Sequence, residues 1–455
     1  MSGFEARLRA AGMTQAASTA KAKRLDELTR ELEVMRGGGS LRGSYALFVP
    51  GRVEFLGKHT DYAGGRSIVC AVERGICMVA APRPDSEIRM FDVKRGSEAG
   101  FVLSGEIEPR RGHWSNFPMT VAQRVTRDFP GVRTGMDVAF ASDLPRASGM
   151  SSSSALVVAV FFALAEANSL WQTQAYRTAI ESREKLAGYL GAIESGSSFG
   201  GFAGAWGVGT HGGSEDHVAI LCSRSGCLRQ YAYSPVRFEK EIRLPEELMF
   251  VIGVSGVKAD KTGDARDAYN RASGAARRIL ELWREATRRD DASLAEAIHG
   301  DGGAVERIRE VLRGSRDAEY TAALLLNRFE QFMAESEEIV RGAGSALARG
   351  DLARLGALAD RSQCLAEKFL GNQVPETTEL ARSARELGAV AASAFGAGFG
   401  GSVWALVGRE RAEEFRQTWS EQYHRRFPER AEASEFFVGR PGPGLTEFRR
   451  ERGSV

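Results

Sequence analysis

Three short clusters in this chain carry residue types that do chemistry. The first is PRASGMSSSSALVVAVFFALA, residues 145–165, where a Gly/Ser loop runs straight into an apolar, alanine-rich segment. A helix leaves its first four N–H groups without intrahelical partners, so small residues there let a phosphate approach the backbone. Ser148 and Gly149 suit that approach, and Ser151, Ser152, Ser153 and Ser154 add hydroxyl donors, one of them a candidate Mg²⁺ ligand. No GxxxxGK[ST] is present, so this is not a Walker A loop. The plainer alternative is a serine N-cap on a core helix, for which one serine suffices. The second cluster, His59, Asp61 and Tyr62, follows Gly57 and closes at Gly64-Gly65. It reads either as a binding loop or as a polar turn between buried strands. The third is Glu215, Asp216 and His217 ahead of an apolar run. Consecutive residues do not share one face, so the tripeptide is not read as a three-ligand metal site.

The elements that must hold these clusters are legible in outline. Residues 1–36 are charged and helix-prone, and Leu25, Leu28 and Leu32 form one stripe that docks on the body of the protein. Residues 45–49 and 53–56 read as two strands around a Pro50-Gly51 turn. Residues 67–82 and 86–103 add strands, a helix starts near Asn116, and residues 136–141 form a strand that feeds the serine loop. Strand, Gly/Ser loop and helix is the order a phosphate loop needs. Residues 175–186 read as one helix carrying Glu184, an acid that would ordinarily sit on a solvated face. Residues 188–213 hold ten glycines in twenty-six positions and read as a surface excursion, with a substrate lid as the second reading. Residues 248–256 form a strand, 265–367 are mainly helical, and 393–407 carry a Gly-rich loop into a strand, Val403–Val407.

Composition excludes several classes. The 455 residues include 61 basic and 59 acidic side chains, a formal net charge of +2, which gives no case for nucleic acid or an anionic membrane. Five scattered cysteines form neither a disulfide framework nor a zinc motif. No uninterrupted apolar run is long enough to span a bilayer, and no leader-like segment opens the chain. A cytoplasmic protein is the expectation.

Several separated segments together resemble the GHMP small-molecule kinases, and within them the galactokinases. GRVEFLGKHTDYAGG (51–65) is similar to the galactokinase signature GRVNLIGEHTDYxxG. PRASGMSSSSA (145–155) resembles the phosphate loop PxGxGLSSSA, and FGAGFGGSVWAL (395–406) the C-terminal GAGFGG motif. GTHGGSEDH (209–217) resembles the GGxMDQ segment of the catalytic aspartate, and SGVKADKTGDARDAYNRA the segment that carries a sugar-contacting tyrosine. The resemblance spans about residues 43–410 in the right order.

The resemblance implies an α/β (α+β) GHMP kinase fold of two lobes. A helical extension, 1–40, would precede an N-terminal lobe, 41–245, with a mixed sheet and the 188–213 insertion; a C-terminal lobe, 246–455, would follow. It implies ATP-dependent phosphorylation of a hexose at its anomeric hydroxyl, with Mg²⁺ as cofactor and no nucleic-acid or membrane partner. Asp216 matches the base and Arg52 the arginine that stabilises the transferred group. Lys58, His59, Asp61 and Tyr269 match sugar-binding positions; Trp114, Gly398 and Gly400 join the serine loop as nucleotide-binding positions. Ser153 and Glu184 match Mg²⁺ ligands. The departures are Glu54 for asparagine, Lys58 for glutamate, Ala147 for the first loop glycine, and Glu215 and His217 around the base. Lys58 either meets an anionic or differently substituted C6 or pairs internally with Glu54 or Glu215. The alternatives are therefore a kinase of a uronic acid or other polyol, or a sugar- and ATP-binding regulator without turnover.

Overall fold

The computed structural model describes residues 3–108, 110, 112–258, 264–300 and 302–449. Among the described residues twelve strands run in chain order: β1 Tyr45–Leu56, β2 Arg66–Pro82, β3 Glu87–Asp92, β4 Ser97–Val102, β5 Met136–Ser142, β6 Cys227–Ala232, β7 Arg237–Arg243, β8 Leu248–Val254, β9 Ala391–Phe395, β10 Ser402–Gly408, β11 Glu435–Gly439 and β12 Thr446–Arg449. They make two sheets. The larger has the order β12-β1-β2-β5-β3-β4, with β6 joining β2 and β7 joining β6. The smaller is β11-β8-β10-β9, antiparallel throughout.

Alternation along β1 separates two cores, as a period of two requires. Tyr45, Leu47 and Val49 face the helices Asn116–Asp128, Ser152–Ala167, Arg183–Ser195 and Glu215–Cys222. Ala46 and Phe48 face the other way, onto Leu25, Leu28 and Leu32 of the helix Gln15–Met35. The leucine stripe thus docks on the sheet, as its spacing implies. Further along β1, Val53 and Phe55 pack with Phe250 of β8 and Trp404 of β10, and Phe55 stacks on Trp404 at 4.4 Å. The two sheets therefore share one core. A further helical cluster around Trp283 and Phe329 packs against Tyr62 and Ala63.

Three sequence expectations change. Residues 45–56 form one strand, not two around a turn: Pro50 and Gly51 are taken up as an irregularity within the β1–β2 ladder. The helix expected over 175–186 is two, Gln174–Ala179 and Arg183–Ser195, each capped at its start by a side chain, Thr173 and Ser182. The second runs into the expected excursion, so 188–195 is helix. The C-terminal region also returns to the first lobe, where β12 pairs with β1 and Gly442 bridges to Ala71.

Candidate active site

The serine loop sits between β5 and the helix Ser152–Ala167. Ala147, Gly149 and Ser151 all have positive φ (47°, 73° and 57°), alternating with ordinary residues. Such alternation turns successive N–H groups toward one side and forms an anion cradle. Ser151 precedes the helix without capping it through its side chain, and its buried Oγ has no hydrogen-bond partner. One serine acting as an N-cap therefore does not account for the loop. Ser152 is exposed and Ser153 half-buried at the helix start. Ser148 is internal: its hydroxyl donates to the Pro145 carbonyl at 2.9 Å, which removes it as a free donor.

Asp216 lies in the first turn of Glu215–Cys222, facing this loop. Arg52 of β1 donates to Asp216 Oδ1 through Nε at 2.8 Å and Nη2 at 2.7 Å, and Ser154 Oγ donates to Oδ2 at 3.1 Å. The same guanidinium reaches the Gly149 carbonyl through Nη1. Burial alone would lower the Arg52 pKa, but Asp216, Glu215 and Glu54 outweigh it and raise it, so the guanidinium stays charged.

One cavity collects Arg52, Glu54, His59, Asp61, Tyr62, Ser154, Glu194, Glu215, Asp216, His217 and Tyr269. Asp61 Oδ2 accepts from the Glu215 N–H at 3.2 Å, and burial raises its pKa. Tyr269, on the helix Asp264–Thr287, packs on His59 at 5.2 Å. His59 lines the cavity, but both ring nitrogens are engaged: Nε2 lies 2.9 Å from the Ala397 carbonyl and Nδ1 2.9 Å from the Tyr62 hydroxyl. Burial, followed by Arg328, lowers its pKa to about 4, so the ring is neutral, with Nε2–H donating to Ala397 and Nδ1 accepting from Tyr62.

Lys58 corrects a sequence expectation. Its ammonium points away from the cavity and donates to Ser362 Oγ at 2.8 Å and Ser393 Oγ at 2.6 Å, with 1% of the residue exposed. A substrate-binding role by direct contact does not fit that position. Glu184 is corrected too. It stands in the first turn of Arg183–Ser195, electrostatically beside Cys222 and Tyr231, whereas Glu194 in the last turn lines the cavity with Asp216. Ten residues of helix separate the two acids by about 15 Å. Sequence reading missed Glu194 because it falls inside the glycine-rich stretch; Gly196, the left-handed cap just after it, is the signal that marks a helix end there.

The remaining nucleotide candidates divide. Asn116 and Phe117 line a groove of about 1470 Å³ that meets the cavity at Ser195, with Trp206 exposed on its rim. Trp114 instead packs on Phe140, 5.5 Å away, at the edge of the core. Gly398 and Gly400 have no room for a Cβ, because Asn372 and Val257 occupy that space. Both shape the loop that reaches Gly149, whose own Cβ position lies 3.1 Å from the Phe395 carbonyl. Residues 259–263 of the tyrosine segment lie outside the described residues.

Glu54 and Glu215, two of the departures, line the cavity wall together, each within reach of the other's charge, and Glu54 Oε2 accepts from the Gly396 N–H at 3.3 Å. Burial raises the pKa of both, so the pair retains a proton near neutrality.

Comparison with known proteins follows the same outline. The family model "GHMP kinases N terminal domain" matches residues 116–201, and "GHMP kinases C terminal" matches 345–425. The "Galactokinase galactose-binding signature" matches 39–82. The galactokinase of Roseiflexus sp. (strain RS-1) is 27% identical over 378 residues, covering 82% of this chain and 86% of that one. That of Chloroflexus aggregans is 28% identical over 371 residues, covering 80% and 84%. The solved structure of Lactococcus lactis galactokinase complexed with galactose superposes with a TM-score of 0.75 at 22% identity, over 93% of this chain and 100% of that one. A mevalonate kinase structure gives 0.51 at 14% identity, over 87% and 98%.

Proposed function

The chain belongs to the GHMP kinases, and from that premise we propose that it is an ATP-dependent sugar kinase of galactokinase type acting on the anomeric hydroxyl of an uncharged hexose. The observation that carries the reading is the arginine that binds base and phosphate loop at once. Arg52 holds the Asp216 carboxylate with two nitrogens and the Gly149 carbonyl with a third.

The chemistry follows from that arrangement. A sugar hydroxyl attacks the γ-phosphorus of ATP, and Asp216 takes its proton as the bond to phosphorus forms. Arg52 pairs with that carboxylate and orients it, and its charge offsets the charge on the transferred oxygens. The cradle at 147–151 and the helix N-terminus hold the nucleotide phosphates. Asp61 and Tyr269 meet the sugar, where a hydroxyl without its partner costs far more than an apolar mismatch.

Mg²⁺, typical of such kinases, would be held by oxygen. No group of three His, Cys, Asp or Glu among the described residues is placed to hold a metal alone. One carboxylate plus substrate phosphates is how this ion is usually bound. Glu194, buried in the cavity wall, with the Ser154 hydroxyl beside it or that of Ser153 at the helix start, would supply that donor set better than Glu184, which does not line this cavity. When bound, the ion would help neutralise the charge that develops on the nucleotide phosphates.

Two alternatives lose support. A uronic acid would bring its carboxylate among Glu54, Asp61, Glu194, Glu215 and Asp216 with Lys58 turned away. A regulator without turnover would not need the Asp216–Arg52 pair. No described helix is long and apolar enough to cross a membrane. The reading of cytoplasmic residence rests on five cysteines, all present as free thiols. A coupled ADP-release assay across neutral hexoses, amino sugars and uronic acids tests the proposal. Turnover of a neutral hexose at least tenfold above the uronic acids is expected; preferred turnover of a uronic acid, or none of any sugar, would overturn it.

A further inference from the structure

The backbone of residues 57–59, which leads into Asp61, is anchored on the other lobe. Glu335, fully buried in a π-helical turn, Ala334–Ile339, accepts from the Gly57 N–H at 2.8 Å and the Lys58 N–H at 3.3 Å. Gln331 donates to the Lys58 carbonyl at 3.1 Å, and Arg328 donates to the His59 carbonyl. The Lys58 side chain completes the frame. Its Nζ donates to Ser362, which itself donates to Glu335 Oε1 at 2.9 Å, and to Ser393 on β9.

Ser393 is three residues before Gly396, where the Gly-rich loop begins. The next residue of the sugar loop, His59, donates to Ala397 inside that loop. Two consecutive side chains thus grip both ends of residues 393–397, and this segment abuts Gly149 of the phosphate loop. His59 itself has φ +58°, a left-handed conformation that a non-glycine residue keeps only when its surroundings impose it. We propose that Lys58 is a positioning residue: a buried strut that fixes the 57–61 loop against the Gly-rich loop without touching the sugar. The reading rests on the kinase assignment above only for its kinetic consequence.

The ammonium is buried and linked through Ser362 to a buried glutamate, so its worth as a strut must be separated from its worth as a counter-ion. Lys58→Met keeps the length and removes the charge. It should raise the sugar KM about tenfold or more, because misplacing substrate-orienting groups by an ångström costs up to about 10²-fold in rate. The ATP KM should move less than about twofold, since Phe399 and Gly401 are separately anchored to Asn372 and Val257. Relative kcat/KM between sugars should stay within about twofold, as expected when no direct contact is lost.

The double variant Lys58→Met/Glu335→Gln removes both charges and should recover the melting temperature while the sugar KM stays high. Hydrogen exchange supplies a readout independent of turnover: amides 57–61 and 396–398 should exchange faster in Lys58→Met, and those of 402–407 should not. An unchanged sugar KM in a folded variant overturns the strut. So does joint recovery of melting temperature and KM in the double variant, which would make the role purely stabilising. A shift of more than tenfold between sugars also overturns it, because it would show direct contact. Should Lys58→Met fail to fold, Ser362→Ala/Ser393→Ala leaves the lysine in place, removes its partners and is read the same way. If the unmodified protein phosphorylates none of the sugars, the kinase reading fails, and exchange alone decides the strut.

Discussion

The two halves of the cleft are built from different materials. On the side proposed for the phosphates the parts are backbone: three positive-φ residues in five, a helix N-terminus, and glycines packed against carbonyls. On the sugar side they are buried side chains with displaced ionisation: Glu54 and Glu215 raised, Asp61 raised, His59 lowered. Side-chain truncation should therefore be tolerated on the first side where a hydroxyl is exposed, while any added Cβ is not. On the second side even an isosteric change should register, since each group's charge state depends on its neighbours.

The sharpest test lies where the halves meet. Asp216→Asn should lower kcat about 10²–10⁴-fold, the usual worth of a positioned proton acceptor, with the ATP KM little changed. Steady-state kinetics decide it: a variant retaining a tenth of the activity would take proton transfer away from Asp216. Ranking next, Glu194→Ala should cost about 10²-fold, the scale for removing one group that stabilises transition-state charge. Raising Mg²⁺ should recover part of that loss. Glu184→Ala, by contrast, should leave the Mg²⁺ titration unchanged, because that acid stands with Cys222 at the other end of its helix. Equal effects of the two substitutions would erase the distinction.

These two acids also show what the sequence makes legible. The strand, serine loop and helix were readable because each is a local pattern, and the meeting of Asp216 with Arg52 could be anticipated because each sits in a motif. Glu184 and Glu194 were not separable, because the break at 180–182 depends on a serine cap and on a helix continuing into glycine-rich sequence. Lys58 was legible as a departure but not in its direction. That direction is set by Glu335, Ser362 and Ser393, which lie about three hundred residues along the chain. Glu54 and Glu215 likewise become a pair only when β1 meets the helix Glu215–Cys222.

A smaller effect probes the backbone side. Gly149→Val must adopt φ near +73° and meets the Phe395 carbonyl at 3.1 Å, so the loop has to shift. The ATP KM should rise about tenfold, on the scale of the 1–3 kcal/mol that such strained positions cost. Ser152→Ala, at an exposed hydroxyl, should leave it within about twofold. A Ser152 effect equal to that of Gly149 would mean that hydroxyls, not backbone, hold the nucleotide.

The smallest effect isolates the carboxyl pair on the sugar side. A carboxyl whose pKa is raised on folding contributes stability that is full below its unfolded pKa and is lost as pH rises through the folded one. For Glu54 that window runs from 4.5 in the ordinary residue to about 7 in place, with Glu215 displaced in the same direction by the same burial. The sign follows from proton counts: between those limits the folded chain holds more protons than the unfolded one, so raising the pH favours unfolding. Glu215→Gln cannot ionise and keeps a hydrogen-bonding amide toward Glu54. Its melting temperature relative to the unmodified protein should therefore improve between pH 5 and pH 8, by about 1–3 °C for a chain of this size. Comparing the two proteins at both pH values cancels the opposite contribution of His59, whose lowered pKa makes stability fall as pH drops. A difference that is the same at both pH values would mean that the pair does not share a proton. The sugar side would then be held, like the phosphate side, by geometry rather than by charge.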